Sequence, residues 1–374
     1  MSLFETKPEN KLHVNYQYLI ERDDFAPVRE VINSWGEGIL NRSNEKNKFV
    51  NEFQTTFNSS FWELYLNKAF RDMGMTIDYS KDRPDFVLST PDGYSFNVEA
   101  VVTDPPVNFN KDSDSDSETF DDNESFIDEC TIKLLGAIKR KLDLFKGDKN
   151  KKKAYNELEH VKDKPFVIAV APFNCDFSFS QNNISINQVL FGIDVPKKNG
   201  EGLLEVDAKS SVSKPNGASL ELGIFTNDSF KEVSAVIFSS TGMLGKAIIE
   251  SGIPVFIRAT RYRKIYKYDF YHSDGEGFLG KRHLQLTPTH DVFTYRFIDG
   301  NFVVGSDTHL CQSSEYSESH LDGLHIYFNP YALIPLDPDV FDDYDITHNF
   351  FDVELKECIM EHHDQSLVSR QVIG

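Results

Sequence analysis

Two carboxylates that could do chemistry together, Asp85 and Glu99, stand fourteen residues apart. Asp85 directly precedes an apolar run at 86–90, and Glu99 lies inside a second run at 94–102. The segment Pro91-Asp-Gly-Tyr94 between the runs is typical of a turn, so the pattern predicts a β-hairpin. An acid before one strand and an acid inside the next can meet at one point and hold a divalent cation. Such a cation activates water and neutralises charge during phosphodiester hydrolysis.

The surrounding elements bear on this hypothesis, since acidic residues beside strand ends are common and often have no chemical role. Residues 61–70 place apolar side chains at helical spacing, and Gly74 is expected to end that helix. Thr76–Tyr79 is predicted to be a short strand. After the hairpin we expect a helix from about 125 to 145, and the apolar run 165–171 predicts a buried strand. The predicted order is helix, strand, strand, strand, helix, strand.

This order, together with the acidic pair, resembles the PD-(D/E)XK nuclease superfamily, which has the restriction-endonuclease-like fold. The likeness covers residues 61–172. Pro84-Asp85 matches the PD element, and Glu99 matches the second acid. Glu63 matches a glutamate that many members carry on a helix near the metal. The resemblance implies a mixed α/β fold class, with a restriction-endonuclease-like core sheet flanked by helices and elaborated at both termini.

The chain departs from the family pattern at Val101, which replaces the lysine that follows the second acid by two residues. Side chains alternate along a strand, so Val101 and Glu99 share a face and this strand offers the site no lysine. In some members the lysine has moved to the neighbouring helix, and Lys141 is the candidate here. It continues an apolar helical stripe that is expected to face the sheet, whereas Lys139 points away and Lys133 lies at the edge. The stripe consists of Ile127, Cys130, Leu134, Ala137 and Ile138.

Two roles for Lys141 stay open from the sequence. A lysine at the end of a core-facing stripe can carry its ammonium over apolar surface towards the two carboxylates. It can equally extend that ammonium to water at the end of the helix. The second alternative leaves a nuclease fold without activity.

The resemblance implies a metal-dependent nuclease that hydrolyses phosphodiester bonds, with DNA as the expected substrate. Asp85, Glu99 and the backbone carbonyl of Ala100 would ligate Mg²⁺ or Mn²⁺. Glu63 would hold a second ion or a water on the metal. Lys141 would orient or deprotonate the attacking water and offset the charge on phosphorus. The alternative is a catalytically inactive nuclease-fold protein that binds nucleic acid or protein. The oligomeric state is left open, a homodimer being one option.

The chain is predicted to have three segments. Residues 1–50 form an N-terminal helical extension, with a helix expected over 25–35. Residues 51–175 form the nuclease core, which includes an acidic, mobile loop at about 104–124. Residues 176–374 form a C-terminal α/β elaboration. Its shorter patterns predict strands at 233–239 and 253–257, a short helix at 186–192, a short helix or turn at 247–250, and loops at 197–202 and 210–217.

Net charge bears on the choice of partner. The formal charge of -20 opposes binding to nucleic acid, because phosphate contacts need Lys and Arg. The charge is unevenly distributed, however. Residues 112–129 carry acidic residues and no basic one, whereas 131–164 is rich in lysine. This distribution allows a basic surface beside the proposed site, although a solvated helix end explains the lysines equally well.

Composition excludes several other classes of protein. There is no apolar run of 18 or more residues and no signal peptide at the N-terminus, so we expect a soluble, cytoplasmic protein without a membrane partner. The four cysteines form no CxxC, which argues against a structural zinc site or a disulfide framework. No histidine pair has the HExxH spacing, and the run 239–245 lacks the lysine of a phosphate-binding loop.

Overall fold

The computed structural model describes most of the chain. The described residues are 2–5, 11–41, 46–103, 123–147, 153–173, 181–194, 197–198, 204–205, 207–265, 270–272, 278–280, 295–296, 303–342, 345–363 and 365–374. Nearly all of the predicted acidic loop at 104–124 lies outside them, and so do residues 148–152 of the lysine-rich segment 131–164. Within these ranges the protein is a mixed α/β structure, which confirms the predicted fold class.

Seven α-helices occur in the described residues. They are α1 (Val14–Glu21), α2 (Ala26–Trp35), α3 (Lys46–Thr55), α4 (Phe57–Asp72), α5 (Asn123–Lys146), α6 (Ile184–Phe191) and α7 (Gly245–Glu250). The predicted end of α4 is confirmed, because Gly74 has the positive φ of 70° that terminates helices. Helices α1, α2 and the start of α3 lie within residues 1–50, and α2 begins after a single turn of 3₁₀ helix at Asp23–Phe25.

Eighteen strands are present in the same residues. The first nine are β1 (Thr76–Ile77), β2 (Phe86–Ser89), β3 (Ser95–Val102), β4 (Phe166–Ala171), β5 (Lys197–Lys198), β6 (Leu204–Glu205), β7 (Ser211–Ser213), β8 (Ser219–Glu221) and β9 (Ala235–Phe238). The others are β10 (Phe256–Ile265), β11 (Phe270–His272), β12 (Phe278–Gly280), β13 (Tyr295–Arg296), β14 (Val303–Gln312), β15 (Leu324–Phe328), β16 (Ile346–Asp352), β17 (Glu357–Glu361) and β18 (Leu367–Ile373).

The largest sheet has eight strands in the order β1-β2-β3-β4-β9-β15-β16-β17. The predicted hairpin is confirmed, with β2 and β3 antiparallel. Strands β3, β4 and β9 run parallel at the centre of the sheet. The sheet therefore continues past residue 175, where the predicted nuclease core ends, and takes four of its strands from the C-terminal segment.

Helices cover both faces of this sheet, and the alternation of side chains along β3 assigns residues to each face. Phe96, Val98 and Ala100 join the core that includes α4. Val101 packs instead in the core beneath α5 and α6. Glu99 faces α5 as well, because it accepts a hydrogen bond from Lys141 on that helix. The predicted shared face of Glu99 and Val101 is confirmed.

The C-terminal segment differs in detail from the sequence predictions. The strand expected at 253–257 begins at Phe256, and it continues to Ile265 within a second sheet of order β13-β14-β10-β18. The segments 197–202 and 210–217 were expected to be loops, yet they include the short strands β5 and β7. Among the described residues, no helix combines the length and apolarity needed to cross a membrane.

Candidate active site

The hairpin brings the two acids together. In the antiparallel register, Phe86 pairs with Val98, so Asp85 stands opposite Glu99 at the open end of the hairpin. The backbone N–H of Ala100 donates to Asp85 Oδ2 at 2.8 Å. The N–H of Asp85 donates to Glu99 Oε2 at 3.3 Å. Each carboxylate is thus held by the backbone of the opposite strand segment, as the predicted pairing requires.

Helix α5 delivers the predicted lysine to this pair. Leu134, Ala137 and Ile138 pack in the core between α5 and the sheet, which confirms that part of the stripe as the face directed to the sheet. Lys141 continues it, and its Nζ lies 2.7 Å from Glu99 Oε1. The ammonium therefore reaches the carboxylates rather than water. The long aliphatic stem of a lysine makes this reach possible from a helix that packs over the strand.

The other residues on α5 behave differently from Lys141. Lys139 is exposed, as predicted for a residue that points away from the sheet. Lys133 forms an ion pair with Glu129 one helical turn earlier, at 2.6 Å. Ile127 and Cys130 belong to the predicted stripe but form a small separate cluster against Ile184. The stripe is therefore shared between the sheet and helix α6.

Tyr155 is a member of the site that sequence reasoning missed. It opens a turn of 3₁₀ helix at Tyr155–Glu157, and its hydroxyl donates to Glu99 Oε1 at 3.3 Å. Five residues later, a ring nitrogen of His160 lies 2.8 Å from the carbonyl oxygen of Arg83, next to the PD element. Segment 155–160 thus contacts both halves of the site. No spacing in the sequence pointed to it, because this contact depends on the path of the chain after α5.

Burial and charge perturb the ionisation of the site. Burial and the negative charge of Asp85 raise the pKa of Glu99 to about 7, although Lys141 acts in the opposite direction. Burial alone would lower the pKa of Lys141, but the charges of Glu99 and Asp85 outweigh it and the pKa is raised. Burial and the charge of Glu99 also raise the pKa of Tyr155. Perturbed groups of this kind concentrate at functional sites.

Glu63 lies beside Asp85 at the wall of a common cavity. Together these two acids line a small cavity of about 90 Å³. Its other lining residues are Ile39, Lys48, Phe49, Glu52 and Asp82. Glu63 is close enough to Lys141 for its charge to raise the pKa of that lysine. The structure therefore brings all four of the predicted side chains, Glu63, Asp85, Glu99 and Lys141, to one region.

The side chains at the site limit which metal ion could bind there. Within the described ranges, no group of three or more His, Cys, Asp or Glu side chains is arranged to hold a metal ion. Asp85 and Glu99 supply two hard oxygen donors, which fits Mg²⁺, because that ion commonly uses one or two carboxylates and completes its shell with water and substrate phosphate. Burial and the negative charge of Asp85 raise the pKa of Glu99, and a bound cation would lower it again. The predicted ligand role of the Ala100 carbonyl stays a prediction.

Comparisons of this chain with protein-family models, with curated proteins and with solved structures each found no match. The likeness to the nuclease superfamily therefore rests on Pro84-Asp85, Glu99, Glu63 and the order of elements around them.

Proposed function

We propose that this protein is a metal-dependent nuclease that cleaves phosphodiester bonds, with DNA as the expected substrate. The observation that carries the proposal is the contact between Lys141 and Glu99, at 2.7 Å, beside the interlocked carboxylate of Asp85. Lys141 thereby places a positive charge beside the acid pair, although Val101 occupies the strand position at which the family carries a lysine.

Asp85 and Glu99 would hold Mg²⁺ or Mn²⁺, with the Ala100 carbonyl as a further oxygen donor. When bound, the ion would lower the pKa of water and neutralise charge on the phosphoryl oxygens. Glu99 must be ionised to serve as a donor. Because its pKa is raised to about 7, activity should increase as the pH rises through the neutral range.

Lys141 has a raised pKa and therefore remains an ammonium at neutral pH. In this state it cannot act as the base that removes a proton from water. It can donate hydrogen bonds to the attacking water and stabilise the additional negative charge of the pentacovalent phosphorus. Of the roles expected from sequence, the structure favours orientation and electrostatic stabilisation over proton abstraction.

Glu63 would act through the small cavity that it shares with Asp85. Its carboxylate can accept a hydrogen bond from a water there, or contribute to a second cation together with Asp85. Glu63→Gln should therefore reduce the rate less than Glu99→Gln, because accepting a hydrogen bond from water does not need a charge, whereas Glu99 must be ionised to ligate the cation. Equal losses in the two variants would assign Glu63 to the same ligand set as Glu99.

The test is cleavage of DNA in the presence of Mg²⁺ or Mn²⁺. Lys141→Ala should lower the rate by about 10²- to 10³-fold, which is the usual loss when one stabilising donor is removed. Lys141→Arg should retain part of the rate, since it keeps the charge. Lys356→Ala is the matched control, because Lys356 is exposed and far along the chain from the site. Full activity of Lys141→Ala would remove Lys141 from the mechanism, and wild-type protein inactive on DNA and RNA would contradict the nuclease.

A second candidate is favoured by Val101 and by the same ion pair. Lys141 compensates part of the charge at Glu99, so the fold can persist without a metal as an inactive module that binds nucleic acid or protein. Val101→Lys separates the two candidates, since it restores the family lysine on β3. Activity that appears only in Val101→Lys would identify the natural chain as an inactive member. Activity already present in wild type would exclude this candidate.

A further inference from the structure

A cleft on the outer side of α5 has features of a binding site and is distinct from the acid pair. Its volume is about 610 Å³, within the range of small-molecule sites. One wall is a single stripe of α5, formed by Ile132, Leu135, Gly136, Lys139 and Arg140 at helical spacing. The opposite wall comes from the β7–β8 hairpin and the segment that follows it. That wall consists of Lys214, Ser219, Leu220, Glu221, Leu222, Ile224, Asn227, Ser229 and Phe230.

The lining of the cleft combines an apolar part of both walls, called its floor below, with several basic side chains. Among the described residues, four basic side chains and one acidic side chain, Glu221, line it, in a chain whose formal charge is -20. Lys133 is paired with Glu129. Within the described part of the chain, Lys139 and Lys214 make no ion pair or side-chain hydrogen bond. These two ammonium groups on opposite walls can therefore both turn to one anion.

Gly136 provides an independent indication that the cleft is kept open. It lies within α5, where glycine is the least favourable residue after proline. A Cβ added there would meet no atom of the described residues within 4 Å, and the backbone has no positive φ that would require glycine. Packing and conformation therefore do not explain the residue. Its consequence is a bare stretch of helix at the floor of the cleft.

We infer that this cleft binds a nucleotide, with the base on the apolar floor around Phe230 and the phosphate between Lys139 and Lys214. A planar base matches an apolar, partly aromatic surface, since stacking on such a surface does not depend on sequence. A phosphate matches two opposed lysines. The nucleotide can be free or can be one unit of a strand. The strand form rests on the proposed nuclease function, for which it supplies a substrate contact on the face of α5 opposite Lys141.

The experiment measures binding by the full chain without divalent metal, so that no cleavage occurs. The probes are AMP, by calorimetry, and a labelled single strand of about twelve nucleotides, by fluorescence anisotropy. Lys139→Ala combined with Lys214→Ala should weaken binding about tenfold or more, and should reduce the salt dependence of log K for the strand by about 1 per lysine. Lys11→Ala combined with Lys356→Ala is the control of equal charge change. It should bind as wild type does.

Two further variants test the floor without changing charge. Gly136→Leu should fill the cleft and abolish binding while the thermal midpoint stays the same or rises, because leucine favours the helix. Phe230→Leu keeps an apolar side chain but loses the stacking surface, and should weaken binding about tenfold. Unchanged binding in Gly136→Leu at full stability would overturn the proposal.

The outcomes separate this site from the nuclease. Binding of AMP that is lost in the cleft variants would assign the site to free nucleotides, and binding of the strand alone would assign it to nucleic acid. If wild type cleaves DNA but the cleft variants bind the probes as wild type does, the cleft proposal is wrong and the nuclease proposal stands. If binding depends on the cleft but no cleavage is found, the nuclease proposal is wrong and the cleft proposal stands. Binding of a phosphate-free acidic peptide instead of both probes would contradict the assignment of the cleft to a nucleotide.

Discussion

Two clusters of buried charge lie in different halves of the chain, and their charge balance differs. At the candidate site, two carboxylates, Asp85 and Glu99, meet one ammonium, Lys141. The C-terminal charge cluster instead has three cations and two acids. Its members are Lys246, Arg261, Glu318, Asp322 and Arg370.

The C-terminal charge cluster is extensively bonded. Lys246 Nζ donates to the carbonyl oxygens of Ser319 and Asp322 at 2.7 and 2.6 Å. Arg370 Nε lies 3.0 Å from Glu318 Oε1. Burial would raise the pKa of Glu318, but Arg370 and Lys246 outweigh it and the pKa is lowered. Asp322 has a pKa raised by burial, although it accepts hydrogen bonds from Arg261 and from the N–H of Leu367.

The comparison shows that burial of charge does not by itself mark a site. The C-terminal charge cluster joins β10, α7, β18 and the loop before β15, so its bonds serve to hold elements together. The acid pair has a surplus of negative charge, and the pKa of Glu99 is raised to about 7. Surplus negative charge of this kind destabilises the folded protein, and the binding of a cation or a proton relieves it. The acid pair therefore favours the binding of a cation.

The largest expected effect on stability lies in the C-terminal charge cluster. Arg370→Met should lower the free energy of unfolding by about 3–5 kcal/mol, because it leaves the carboxylate of Glu318 buried with less compensation. It also removes a hydrogen bond to the carbonyl of Thr241. Urea denaturation measures the loss, with Lys356→Met as an exposed control. A loss no larger than that of the control would contradict a structural role.

The second prediction concerns Glu99 and pH. Its pKa is raised from 4.5 to about 7 on folding, so the folded state binds the proton more tightly than the unfolded state. The contribution to stability is full below pH 4.5 and is lost as the pH rises through 7, an amount of about 3 kcal/mol. Relative to wild type, Glu99→Gln should therefore become more stable by about this amount between pH 4.5 and 8. Denaturation curves across this range measure the difference, and a difference independent of pH would show that Glu99 titrates normally.

The third prediction concerns a divalent cation at the same pair. An ion that binds only the folded state should stabilise wild type by about 2.7 kcal/mol at a hundredfold excess over its dissociation constant. Thermal melts with and without Mg²⁺ or Mn²⁺ measure this stabilisation. Asp85→Ala is the control and should lose most of it. The same ions should leave the loss of stability caused by Arg370→Met unchanged. If they stabilised both clusters equally, the effect would be non-specific screening of charge.

The smallest effect is expected at Tyr155. Tyr155→Phe removes a donor from the ionised form of Glu99, so the pKa of Glu99 should rise further. The change in stability should stay within about 1 kcal/mol, as for one long hydrogen bond. The midpoint of the pH-dependent difference described for Glu99 should move to higher pH. An unchanged midpoint would restrict Tyr155 to packing.

The sequence determined the local elements around the candidate site. Alternating and helical apolar spacing was sufficient to predict the β2–β3 hairpin, the helix α5 and the face of α5 that carries Lys141. These features depend on residues that are neighbours in sequence, because a side chain's face follows from the two-residue and 3.6-residue periods. The same reasoning predicted that Asp85 and Glu99 can meet at one point, since a short turn leaves a hairpin few registers.

Only the tertiary structure decided the contacts between distant segments. Tyr155 reaches Glu99 across 56 positions, and β15 joins the sheet beside β9 with a crossover that no local pattern specifies. The sheet therefore extends into the C-terminal segment, and the nucleotide cleft forms between α5 and a hairpin at 211–221. Such pairings depend on which surfaces remain to be buried once the local elements exist, and this information is spread over the whole chain.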